Sequence, residues 1–245
     1  MTQDAKTKEL HDKALAAIRS VARIGPHFKP AHFDIDADGT ATIEAEVDNV
    51  AVKRLALERL ARTEGVGAVI DRLRVKPAQT MSDDGILDHL RKAYYDEPSF
   101  YELQIKEREG GELKFVRDAF ERARGVIETE VKDGVIVLNG SLPSLAAKRL
   151  AGVMAWWVPG ARDVINGIAV EPTEEDAPIA IEEAVKIALE KDPFVDASQI
   201  RVGVRHRTVR LTGAVHSPEA RDAAEWDAWY IFGVDDVVNE LGVIA

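Results

Sequence analysis

The stretch Asp34-x-Asp36-x-Asp38-Gly39 has the opening of a calcium loop, where alternate carboxylates offer oxygen ligands to a hard cation. Such a loop needs a bidentate acid at its twelfth position, which here is Ala45, with Glu44 and Glu46 to either side. The stretch reads instead as a strand with Phe33 and Ile35 inward and the aspartates outward. The six histidines (His11, His27, His32, His89, His206, His216) show no HExxH or other ligand spacing. No Gly-rich phosphate loop is present, and the Glu109-Gly110-Gly111-Glu112 turn would repel phosphate. General acid–base work requires a buried pair of carboxylates with split pKa values, which a sequence does not display. Cysteine is absent, excluding disulfides, thiolate nucleophiles and Cys-ligated zinc. The expectation is a non-enzymatic chain with no catalytic residue, metal or cofactor.

Side chains suited to binding are concentrated elsewhere. Trp156 and Trp157 form one aromatic group, and Trp226, Trp229 and Tyr230 another. Lys148, Arg149 and Arg162 lie near the first group and are the cations best placed for lipid headgroups, against the ordinary reading of solvated charge. What these residues face depends on the elements that carry them.

Those elements are written three times. Asn49–Pro77 aligns without a gap on Ser144–Pro172 at an offset of 95, and Ser144 onward aligns on Ser217–Ile244 at a further 73. Asn49, Ser144 and Ser217 share one position, and each is a helix N-cap type. Gly65, Gly160 and Gly233 share another, where a left-handed residue would end the helix. Val66 to Val75, Ala161 to Val170 and Val234 to Val243 read as a closing strand. Before the helix comes a β-hairpin, with Asp38-Gly39 or Asp133-Gly134 as a two-residue turn; His206-Arg207 replaces it in the third copy, so a different turn is expected there. Each copy opens with an amphipathic helix: Leu10 to Ala22, Ile86 to Tyr95 and Ile179 to Leu189. The order is α-β-β-α-β. The unequal offsets place an insertion of 22 residues between Pro98 and Val131, and within it Leu113, Val116, Ala119, Phe120 and Ala123 fall at helical spacing, predicting an added helix.

The repeat orients the aromatics. Positions apolar in all three copies, such as Leu55/Leu150/Ala223 and Ala56/Ala151/Ala224, mark the core stripe of the second helix. Trp156 and Trp229 fall nearly opposite that stripe; Trp157, Tyr230 and Trp226 fall on its flank. Large apolar groups off the core face need a second surface. The leading expectation is packing between copies two and three or between chains; a ligand groove and membrane or partner contact are the alternatives. Glu219, Asp222, Glu225 and Asp227 on the third copy's helix disfavour membrane docking there.

The motif Val131-x-x-Gly134-Val135-x-x-Leu138-x-Gly140, followed by Ala147, Ala151, Gly160, Val164, Asn166, Ile168 and Val170, resembles the BON domain, a bacterial module named for osmotic-stress and nodulation proteins. The third copy repeats it through Val204, Leu211, Gly213, Ala220, Ala224, Gly233 and Asn239; the first departs from it, with Ala45 and Asp71 at the second glycine and the asparagine. The resemblance implies an α+β fold of three tandem αββαβ modules, each with two helices on one face of a small three-stranded mixed sheet. The modules are expected over 1–78, 79–173 with the insertion near 99–126, and 174–245. It further implies no catalytic residues and a role in binding phospholipid surfaces or other ligands, linked to stress tolerance or the envelope. The alternative is a structural or stress-protection protein that self-associates, or meets a protein partner, through the helix aromatics.

Composition fits a folded chain of 245 residues, 46% hydrophobic and 31% charged. The net charge of −11 argues against nucleic acid as a partner. A phospholipid surface, a protein or a second copy of the chain remain as partners. No apolar run approaches a membrane span, and the polar start lacks a signal peptide. The expected location is cytoplasmic, or periplasmic for a processed form.

Overall fold

The computed structural model describes residues 3–118 and 123–244. Two compact units, Met1–Lys76 and Pro77–Ala245, divide the chain. In the first, module one runs α1 (Gln3–Arg19), β1 (His32–Ile35), β2 (Thr40–Val47), α2 (Val50–Ala61) and β3 (Ala68–Val75). β1 is antiparallel to β2 and β2 parallel to β3. Alternation along β2 buries Ala41, Ile43, Ala45 and Val47 beneath α2, whose Ala56 and Leu60 are fully enclosed. The three aspartates of the calcium-like stretch are exposed and Ile35 is buried.

The second unit holds two further modules. Module two comprises α3 (Asp83–Asp96), β4 (Gln104–Glu109), β5 (Glu112–Arg117), β6 (Val126–Lys132), β7 (Val135–Leu142), α4 (Leu145–Trp156), β8 (Asp163–Asn166) and β9 (Ala169–Val170). Module three comprises α5 (Pro178–Lys191), β10 (Ile200–Arg205), β11 (Thr208–Val215), α6 (Pro218–Tyr230) and β12 (Asp236–Val243). Modules one and three keep the α-β-β-α-β order; module two adds β4 and β5 before it reaches β6 and breaks its closing strand into β8 and β9, so the sheets contain three, six and three strands.

The repetition extends to individual hydrogen bonds. Asn49, Ser144 and Ser217 are extended residues whose side-chain oxygens accept from Val52, Ala147 and Ala220 N–H at 2.9, 3.1 and 3.1 Å. Each such cap contributes about 1 kcal/mol. A polar latch then ties the second helix to the closing strand. Asn166 accepts from Ile168 N–H and donates to Lys148 O at 2.8 Å, while Asn239 accepts from Leu241 N–H and donates to Arg221 O at 3.1 Å. Module one has Asp71 here, which cannot donate. It accepts from Leu73 N–H and pairs with the buried Lys53 ammonium at 2.6 Å, and Lys53 stands where Lys148 and Arg221 stand in the other modules.

Three expectations need correction. The shared glycines do not end their helices, which stop earlier, at Ala61, Trp156 and Tyr230. Equivalent turns close the loops beyond, with Val66, Ala161 and Val234 N–H donating to Thr63, Val158 and Ile231 O. Gly65 and Gly233 are left-handed, but Gly160 is not; a Cβ there would meet Met81 and Ile86 at under 3 Å, so close packing against α3 explains it.

The insertion forms a hairpin, β4–β5, instead of the expected helix. β4 runs parallel to β6, widening module two's sheet, and Gly110 and Gly111 are both left-handed at its turn. Leu113 and Val116 lie on β5; Ala119 and Phe120 lie outside the described residues.

The hairpin turns also differ from expectation in modules one and three. Asp133-Gly134 is a two-residue turn, but Asp36 to Gly39 is a four-residue loop held by Asp36 Oδ1, which accepts from Asp38 and Thr40 N–H at 2.9 Å. His206 and Arg207 keep the two-residue geometry, with φ of 47° and 65°. Tertiary contacts hold them there: Arg207 Nε donates to Gly233 O at 2.8 Å, and Arg207 O accepts from Asp235 N–H at 2.9 Å. Replacing His206 by Asn, which adopts positive φ more cheaply, is expected to raise the unfolding free energy by roughly 0.5 kcal/mol. A urea melt followed by tryptophan fluorescence checks this.

Candidate binding surfaces

The aromatic groups meet where α4 of module two packs against α5 and α6 of module three. Trp156 stacks on Tyr230, with ring centroids 5.6 Å apart and planes 8° from parallel. Trp157 Nε1 donates to Asp227 Oδ1 at 2.8 Å. Trp229 has no exposed surface, and Trp226 is half-buried on α6. Helix geometry accounts for this arrangement. Residues off the core stripe of α4 and α6 point away from their own sheets, and a neighbouring helix layer covers them.

Charged groups join the same seam. Arg149, expected at the surface, is 1% exposed, a correction to its reading as a headgroup cation. Its Nε donates to Phe232 O at 2.9 Å and its Nη2 to Asp176 Oδ1 at 2.5 Å, while Nη1 is buried without a hydrogen-bond partner. Lys148 Nζ sits 4.9 Å above the Phe232 ring, and burial, with Arg149 adding to it, holds its pKa below the usual lysine range. Arg162 is half-buried and lies along the Asp133-Gly134 turn. Lys191, at the end of α5, pairs with the buried Glu97 beyond α3 at 3.0 Å.

Asp227 is the electrostatic anomaly of the seam. It is 1% exposed, and its Oδ2 finds no hydrogen-bond partner. Burial pushes its pKa up to about 8, with the Asp192 carboxylate adding to the rise and the Trp157 bond opposing it. Burial likewise raises the Tyr230 phenol to about 12, with Asp227 and Asp192 contributing. The sequence reading used Asp227 only as one of four helix acids. Its alternation with Trp226 and Trp229 gives no local sign that it turns inward.

On the far side of each sheet from its helices the outward charged residues are half-buried in module two and more exposed in modules one and three. In module one, Glu44 and Arg72 pair there at 3.7 Å. In module two, Lys106–Glu128 and Arg108–Glu130 form two ion pairs across β4 and β6, at 3.8 and 3.7 Å. Module three carries Arg201, Arg205 and Arg210 on this face, which sequence reading missed; aligning Arg201-x-Gly203 on Glu128-x-Glu130 is the signal that would have found it. Among the described residues no group of three or more His or carboxylate side chains is disposed to hold a metal ion, and no helix is long and apolar enough to cross a membrane.

Two helices on one face of a small mixed sheet, three times over, define a protein of tandem αββαβ modules. The BON domain family model matches residues 6–77, 115–172 and 180–245, and the chain belongs to that family. The second match starts inside β5; α3, on the far side of the hairpin, supplies module two's first helix and buries Ile86, Leu90 and Tyr94 in its core. Among solved structures, the C-terminal domain of CdsD, the structural protein of the type III secretion system of Chlamydia trachomatis, aligns at 13% identity and a TM-score of 0.25, covering 97% of this chain and 98% of that one. A second CdsD structure aligns at 14% identity and the same TM-score, covering 96% of this chain and 92% of that one. At these scores the likeness carries no argument. A comparison with curated proteins finds no match.

Proposed function

We propose that the chain is a non-enzymatic binding protein that works through its open sheet faces, with a ligand carrying negative charge: a phospholipid headgroup or a small anion, in stress tolerance or envelope maintenance. Membership of the BON family supports binding over catalysis. One observation carries the choice of face. The helix layers of modules two and three are pressed together, so Trp156, Trp157 and Tyr230 are engaged within the chain, while the opposite face of module three's sheet carries exposed arginines. In a chain of net charge −11, the module three face stands out as a concentration of arginine.

Co-sedimentation with vesicles separates the two ligand sources. A headgroup ligand gives pelleting with phosphatidylcholine–phosphatidylglycerol vesicles, lost as salt is raised, and none with phosphatidylcholine alone. Absence of pelleting with both removes the phospholipid source. A molecular mass above the monomer in light scattering that falls to the monomer in Trp226→Ala, at the half-buried aromatic, would restore self-association as the leading reading.

A further inference from the structure

Modules two and three share one backbone plan, so their outer sheet faces can be compared position by position. Glu128, Glu130 and Val137 of module two correspond to Arg201, Gly203 and Arg210 of module three, while Lys132 and Arg205 keep a cation at the strand end in both. The fold therefore does not require arginine at these places. Module two's two glutamates are neutralised by Lys106 and Arg108 of β4. Among the described residues module three has no strand in the place of β4, and its β10 is an edge. Arg210 pairs with Glu240 at 3.4 Å and Arg207 with Asp235 at 3.3 Å. Arg201 and Arg205 have no ion-pair partner among the described residues.

The register converts this excess charge into a shape. Gly203 lies directly opposite Arg210, Arg201 opposite Thr212, and Arg205 opposite Thr208. Arg201 and Arg205 are thus the diagonal neighbours of Arg210 on one face, at roughly 7–8 Å. The glycine leaves a gap between them, where a Cβ would meet nothing within 4 Å. An open trough of about 680 Å³ runs from this gap toward the hairpin turn, lined by Gly203, Val204, Arg205, His206, Thr208, Arg210 and Val238, with Arg201 beyond its other end.

From this geometry we infer that the trough is a binding site for a small phosphorylated organic anion of nucleotide size. Guanidinium forks match phosphate oxygens two at a time and are only weakly hydrated, so they engage them at low desolvation cost. Thr208 adds a hydroxyl donor, while Val238 and the arginine stems offer an apolar floor to the uncharged part of the ligand. The volume lies within the range of small-molecule sites. A small molecule suits the charge map better than a bilayer does. Asp236 and Glu240, opposite Thr208 and Thr212 on β12, border the arginines and would repel an extended anionic surface, whereas a compact anion seats between them. This inference rests on the binding reading and names its ligand class.

The test uses the full, isotope-labelled chain, titrated with ADP, AMP and inorganic phosphate and followed by amide NMR. ADP is expected to shift the amides from Gly203 to Arg210, with inorganic phosphate binding more weakly at the same place. The double variant Arg201→Glu, Gly203→Glu imports module two's own residues into open space and should weaken ADP at least about tenfold with an unchanged thermal melt. Arg205→Ala, which trims one exposed side chain, should give a loss of the same sign. Undisturbed β10 and β11 amides, or equal affinity in the folded double variant, would overturn the inference. Pelleting with anionic vesicles by a chain that ignores ADP would also overturn it while leaving the binding reading intact. ADP binding without vesicle pelleting would sustain it and remove the phospholipid source.

Discussion

Asp227→Asn is expected to stabilise the second unit increasingly as pH rises, with almost no effect near pH 4 and its full effect above about pH 8. An unfolded aspartate ionises near 3.8, whereas folded Asp227 does so near 8. Between those values the folded state holds a proton that the unfolded state has released, so stability falls as pH climbs through the window. Above it the folded protein carries a buried carboxylate with one oxygen unpartnered and Asp192 close by. Asn keeps an Oδ1 to accept from Trp157 and removes the charge. Allowing for relaxation around the site, the gain at alkaline pH is on the order of 2–4 kcal/mol, or roughly 5–10 °C in melting temperature. All four tryptophans (Trp156, Trp157, Trp226 and Trp229) lie in modules two and three, so fluorescence melts report on this unit. Parallel stability–pH curves for the two proteins would show that burial of Asp227 has no such cost.

The same seam marks the boundary of what the sequence discloses. Caps, core stripes and closing strands were legible because they are local and recur at fixed offsets; Ser144 and Ser217 do what Asn49 does. The facing of Trp156 toward the other module was legible for a related reason, since three aligned copies define a helix wheel better than one. The β4–β5 hairpin was misread because Leu113 and Val116 fit a helical period as well as a strand, although Gly110-Gly111 between two alternating runs is itself a hairpin signal. The two-residue turn at His206-Arg207 was hidden because its residues are not the usual ones, and contacts made through Gly233 and Asp235 hold the conformation. Asp227 and Arg149 were illegible for a deeper reason. A charged residue on a helix surface is ordinarily solvated, and only the arrival of a second module removes the water. The sheet arginines are not legible in any single copy, because the contrast that marks them lies between copies.

Arg149→Ala is the substitution expected to loosen the seam most. The side chain runs from α4 of module two to the Phe232 carbonyl of module three and to Asp176 in the connection between them. Its removal leaves a void, an unpaired Asp176 and an unsatisfied carbonyl. Breaking a buried pair in this way costs about 3–5 kcal/mol where the abandoned charge stays buried. Asp176 retains a third of its side-chain surface and can be rehydrated, which lowers the expectation to roughly 2–4 kcal/mol. Arg149→Met separates packing from charge. It fills the same channel with no polar atoms and eliminates the buried, unpartnered Nη1, so it should cost less than Ala, and the double variant with Asp176→Asn less still. Urea unfolding followed by tryptophan fluorescence gives these differences. If Met and Ala were equally damaging, the charge–carbonyl–carboxylate connection would be the main tie between α4 and module three. If both were silent, the aromatic stack and the Trp157–Asp227 bond would hold the modules together without it.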